Sequence, residues 1–158
     1  MRHRAIFPLL ASCLAVACAA GGGQGALPGL AWFFYETEDE GAKLAYGAPS
    51  SDDVVLMLSC QPHSGEVTVS AVHEDASPTI RLASARETAD FVGRTDPAGF
   101  GSGAYVEADA PADHPALVRF ARTGELSLHD ADRSARLPVR AAERARIRDF
   151  FAACRAEA

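Results

Sequence analysis

The sequence is almost without lysine. Its 158 residues include 15 Lys and Arg, of which only Lys43 is lysine, against 21 Asp and Glu, for a formal net charge of −6. A nucleic-acid binder carries a clustered basic face, and this acidic chain offers none. It also lacks the run of about 20 apolar residues that a permanent membrane helix requires; the apolar run from Ala5 to Ala17 has 13 residues. No repeat of about 20–50 residues is visible, which excludes a solenoid or propeller array. No alternation of strand and helix signals points to a doubly wound parallel sheet. His63, His73, His114 and His129 show no paired spacing of the kind that places two imidazoles on one metal, and HExxH is missing. What remains, 48% hydrophobic and 23% charged residues, is the composition of an ordinary folded domain.

The first residues read as an address. Met1 to Arg4 is basic, and Ala5 to Ala17 is apolar and ends in small side chains, as in a cleavable export signal. Ala15-Val16-Ala17 suits ordinary signal peptidase. The same residues followed by Cys18 resemble the lipobox of bacterial lipoproteins, which implies that Cys18 is lipid-modified and becomes the new N-terminus. Leu10-Ala11-Ser12-Cys13 matches the lipobox letters more closely but leaves too short an apolar run before it. With Ala19 and Ala20 after the cysteine, the resemblance implies outer-membrane sorting in a Gram-negative envelope, with membrane contact through the N-terminal lipid only. Residues 1–17 are then a signal, residues 18–29 a Gly-rich flexible tether, and residues 30–158 a single domain. Loss of Arg2 and Arg4 leaves 13 basic against 21 acidic residues.

Cys60 and Cys154 are the two cysteines left for the domain. An even pair in an oxidising compartment predicts one disulfide. The chain-entropy model assigns so long a loop about 4–5 kcal/mol. Two free buried thiols are the alternative; a metal site lacks nearby histidines.

Short segments broken by Gly, Pro, Asp and Ser predict a mostly β domain, a small antiparallel sandwich or barrel with one C-terminal α-helix. Leu30 to Tyr35 reads as an aromatic strand and Glu36 to Gly41 as a solvated acidic turn. Val54 to Cys60 is a continuous apolar run, expected of a strand buried on both faces. Glu66 to His73 alternates, with Val67, Val69 and Ala71 on one face, so these two segments predict a hairpin. Thr79 to Ala83, Ala89 to Val92 and Ala104 to Ala108 are further strands. Leu117 to Ala121 and Glu125 to His129 predict a second hairpin around Thr123-Gly124. Near the end, Ile147, Phe150, Phe151 and Cys154 recur at i, i+3, i+4 and i+7, one stripe of a helix. A Cys60–Cys154 bond would pin that helix to the first hairpin.

No constellation singles out a catalyst, and neither a cofactor nor a metal is expected. Phe100-Gly101-Ser102-Gly103-Ala104 fails the G-x-S-x-G elbow, and Gly99, Gly101 and Gly103 fail the dinucleotide fingerprint. His73-Glu74-Asp75 and His129-Asp130-Ala131-Asp132 contribute to a metal or hydrolase site only if the fold unites them. Trp32 to Tyr35 offers either a partner anchor, since aromatics dominate binding hot spots, or an alternating core strand. The acidic stretch Glu36 to Asp75, with nine acids and one lysine, either attracts a cationic partner or forms solvated loops.

One order of motifs resembles the C-type periplasmic and membrane-bound lysozyme inhibitors: Cys60 ending a strand, Ser102-Gly103-Ala104-Tyr105, Phe120-Ala121-Arg122-Thr123-Gly124, then Cys154. The Ser–Tyr spacing is one residue short, Ala121 stands where the family has Trp, and the C-terminal helix has no counterpart. The resemblance implies a small β-barrel in which Ser102 and Arg122, with Tyr105 nearby, meet a cationic lysozyme. The sequence therefore predicts an exported, non-catalytic binding protein of the envelope; the alternatives are a lysozyme inhibitor and an envelope hydrolase or metal-dependent enzyme.

Overall fold

In a computed structural model, which describes residues 29–74, 77–98, 103–131 and 133–157, the alternating segments become strands of two antiparallel sheets. The larger sheet has the order β1-β2-β3-β4-β8-β7 and the smaller β10-β9-β5-β6. The larger is built from β1 (Ala31–Thr37), β2 (Gly41–Gly47), β3 (Val54–Cys60), β4 (Glu66–His73), β7 (Arg94–Pro97) and β8 (Ala104–Pro111). The smaller contains β5 (Thr79–Ser84), β6 (Glu87–Val92), β9 (Ser127–Asp130) and β10 (Arg133–Arg136). Two helices, α1 (Pro115–Thr123) and α2 (Arg144–Cys154), complete the described residues, α2 preceded by a single 3-10 turn at Ala141–Glu143. The mostly β architecture with a C-terminal helix is the one the strand spacing predicts.

The β3–β4 hairpin forms with Val67, Val69 and Ala71 buried, as their alternation requires. The acidic residues Glu38, Asp39 and Glu40 are the exposed turn between β1 and β2. Gly41 closes that turn at φ +72, where a side chain would run into the Cys60 carbonyl. Two expectations are corrected. β3 is not buried on both faces: Leu56, Leu58 and Cys60 point inward, whereas Val54 and Met57 are only half covered. A register shift between Tyr46 and Gly47 opposite Val54 marks a bulge, which changes the face that successive residues present.

The second correction concerns Leu117 to Ala121, which is helix α1 and not the first strand of a hairpin. Pro115 stands at its first turn, where proline costs no hydrogen bond. The His114 ring accepts from the Ala116 amide at 3.3 Å. Gly124, φ 68, is the left-handed C-cap, donating to the Phe120 carbonyl at 2.8 Å. The glycine that reads as a hairpin turn is a helix stop.

The predicted stripe of α2 is observed: Ile147, Phe150, Phe151 and Cys154 are buried. Trp32 lies 5.1–5.2 Å, ring to ring, from Phe120 and Tyr46, and Phe120 meets Phe151 edge-on. This aromatic cluster joins the inner face of β1 and β2 to both helices. Cys60 and Cys154 form a disulfide. Beside it, the amides of His63 and Gly65 in the β3–β4 turn donate to the carbonyls of Ala153 and Cys154 at 2.7 and 2.9 Å. Two of the last carbonyls of α2, which have no partner inside the helix, are thereby satisfied. No helix among the described residues is long and apolar enough to cross a membrane.

Candidate binding face

With both helices packed on the inner side, the outer face of the larger sheet is left uncovered by any element of the described residues. Strand register arranges this face in rows. One row crosses the whole sheet: Phe33, Ala45, Met57, Ser70, Glu107 and Arg94 are successive cross-strand partners. A second begins Tyr35, Lys43, Ser59, Thr68, Asp109. The face is thus aromatic at β1, apolar at β3 and charged at β8 and β7.

At the charged end, Arg94 donates to Glu107 at 3.0 Å and the Tyr105 hydroxyl donates to the other Glu107 oxygen at 3.3 Å. Burial pushes the Tyr105 hydroxyl pKa above its ordinary value, and the Glu107 carboxylate adds to the rise. These groups satisfy one another. At the aromatic end Phe33 and Tyr35 stack, with centroids 6.4 Å apart and planes 22° from parallel. Tyr35 is 54% exposed. Together with Lys43, Met57, Ser51 and Asp52 they line a groove of about 370 Å³. Large apolar side chains gathered on one open face are unusual for a surface without a partner.

The aromatic segment therefore divides. Trp32 is fully buried and Phe34 half-buried against Phe150, the inward half of an alternating strand, while Phe33 and Tyr35 face out. Of the residues implied by the lysozyme-inhibitor resemblance, Ser102 lies outside the described residues, as does Cys18. Tyr105 is on the outer sheet face, whereas Arg122 is exposed on α1 among the elements of the inner side. Tyr105 and Arg122 are not brought together, and Phe120 to Gly124 forms a helix and its cap where the resemblance implies a strand.

The fold does unite parts of the two His–Asp segments. His73, 1% exposed, approaches Asp130 with its Nδ1 at 3.0 Å from a carboxylate oxygen. The other Asp130 oxygen accepts the Glu74 amide at 3.2 Å. This contact ties β4 of one sheet to β9 of the other, and the buried Nε2 has no hydrogen-bond partner. The remaining histidines are elsewhere. His63 is exposed beside Glu157, His114 caps α1, and His129 lines a shallow depression with Arg81 and Asp90. Arg81 binds Asp90 through two hydrogen bonds, which hold the Asp90 pKa below the usual carboxylate range. Among the described residues no three His, Cys, Asp or Glu groups converge to hold a metal.

The sequence offers Trp32 to Tyr35 as an anchor or a core strand, but not the alignment of Phe33 with Ala45 and Met57. A signal for it was present: an unbroken apolar β3 run followed by an alternating β4. No protein-family model, curated protein or solved structure matches the chain.

Proposed function

We propose that the protein is an exported, non-catalytic binding protein of the bacterial envelope, held to the outer membrane by a lipid on Cys18, that meets its partner through the β1–β3 end of the outer sheet face. The observation that carries this reading is the half-exposed Phe33–Tyr35 stack beside Met57 and its groove. Aromatic and methionine side chains in a partly desolvated depression make good hot spots. The disulfide supports an oxidising compartment, and the export signal and Gly-rich tether support presentation of the domain away from a membrane.

The test is site-specific photo-crosslinking in intact cells, with the reactive residue at Tyr35 in the groove or at Arg86 in the exposed β5–β6 turn. The reading predicts a discrete adduct from position 35 and none from position 86. Equal labelling from both positions, or none from either, would defeat it. Palmitate incorporation that persists in Cys18→Ala would remove the lipid anchor from the account.

A further inference from the structure

β1 is an edge strand of the larger sheet, and its edge is only half closed. The Trp32 amide donates off the sheet, to the Glu143 carboxylate at 3.4 Å. Arg140 covers the neighbouring backbone by donating to the Leu30 carbonyl at 3.2 Å. In an antiparallel pair, backbone groups point alternately toward and away from the partner strand. Trp32 points away from β2, so Phe34 and Glu36, paired with Leu44 and Ala42, do the same. Beyond the Arg140–Glu143 cover, their amides and carbonyls have no partner among the described residues.

The other edges are less receptive. β7 has four residues and ends in Pro97, and β10 has four residues bounded by Arg133 and Arg136, the short and charged design that blunts strand pairing. β6 carries Glu87 and Asp90. β1, seven residues long, has the free backbone and borders the aromatic groove.

Arg140 lies at the covered end of that edge, and beyond it the charge is mostly negative. Glu36, Glu38 and Asp39 are exposed at the open end, with Glu40 paired to Lys43, and Asp52 lines the far end of the groove from the exposed β2–β3 turn. The open end thus carries four carboxylates, Glu36, Glu38, Asp39 and Glu40, and one lysine. We infer that the open half of the β1 edge accepts an extended cationic peptide segment as an additional strand. Its backbone bonds to Phe34 and Glu36, its alternate side chains lie beside Phe33 and Tyr35, and its Arg or Lys side chains reach the flanking carboxylates. Backbone pairing supplies affinity and the face beside the edge supplies selectivity. The inference rests on the binding-protein reading and names the class of its partner.

The test uses the full chain and a synthetic peptide of alternating arginine and valine, titrated by calorimetry. An alternating glutamate–valine peptide and an arginine–valine peptide N-methylated at alternate residues are the controls. Glu36→Pro removes one outward amide without touching the β1–β2 ladder, because proline is tolerated where an edge N–H faces solvent. Glu36→Gln removes the charge and keeps the amide. Binding is expected to the cationic peptide alone, to weaken with salt, and to fall about tenfold in Glu36→Pro but less in Glu36→Gln. The near-ultraviolet spectrum of the buried Trp32 confirms that each variant is folded.

Equal binding of the acidic or N-methylated peptide, or unchanged affinity in Glu36→Pro, would overturn the inference. A crosslinker at Tyr35 identifies the occupant. An adduct with the cationic peptide supports strand addition, whereas an adduct with a second copy or with the chain's own residues before Gly29 overturns it. Discrete cellular adducts at Tyr35 without peptide binding would leave the binding-protein reading standing and remove strand addition alone.

Discussion

Tyr46 illustrates how much one atom can decide. Its ring is 1% exposed and packs on Trp32, yet its hydroxyl has no hydrogen-bond partner. Burial pushes its pKa up from the ordinary 10.0, while Arg140 pulls it down and Glu143 adds to the rise. The folded state therefore keeps this proton at pH values where the unfolded chain has begun to lose it. More protons bound in the folded state means that stability falls as pH rises. The contribution is flat below about pH 10 and declines above it. Tyr105, raised in the same direction, adds to the decline. Tyr46→Phe should make the alkaline loss shallower and gain about 1 kcal/mol near neutral pH, because an unpaired buried hydroxyl costs about 1–3 kcal/mol. Urea unfolding at neutral pH and above pH 10 measures both. A Phe variant less stable at neutral pH would show that the hydroxyl has a partner after all.

At the level of elements, legibility in the sequence followed the strength of the hydrophobic period. β4 and α2 carry clear periods of two and of 3.6, and both formed where the apolar residues required. α1 has only Ala116, Leu117 and Phe120 as its buried stripe, too short a pattern to outweigh a Thr-Gly turn signal. Its decisive marks were the caps, Pro115 and Gly124. β7 and β10 have no apolar period; Arg, Thr, Asp and Ser adopt strand geometry there because a neighbouring strand supplies the pairing. The disulfide was legible because only two cysteines remained and one lay on a helix stripe. It acts with the His63 and Gly65 amides to fix the end of α2. Replacing both cysteines with serine should lower stability by about 2–5 kcal/mol, read as a lower urea midpoint, and should loosen α2 first. Identical midpoints for oxidised and reduced protein would contradict that role.

For the molecule as a whole, the candidate site was legible only in fragments. The aromatic run and the acidic turn were visible in the chain, but their meaning depends on register. Alternation sends Trp32 and Phe34 into the core and Phe33 and Tyr35 outward, and antiparallel pairing lines Phe33 up with Ala45 and Met57. The bulge opposite Tyr46 and Gly47 turns Val54 toward the same groove. No single segment encodes that surface, so no motif announces it. The charge asymmetry, nine acids with one lysine from Glu36 to Asp75, gains a location in the same way, with Glu36, Glu38, Asp39 and Glu40 at the open end of β1.

The central claim, that this edge is free and receives a partner strand, is tested most directly by residue-resolved amide hydrogen exchange of the full chain, alone and with the cationic peptide. In the free protein the amides of Phe34 and Glu36 should exchange quickly while those of Phe33 and Tyr35, directed at β2, exchange slowly. Bound peptide should slow Phe34 and Glu36 into the range of their neighbours. Slow exchange of Phe34 and Glu36 in the free chain, or no change when peptide binds, would contradict the account.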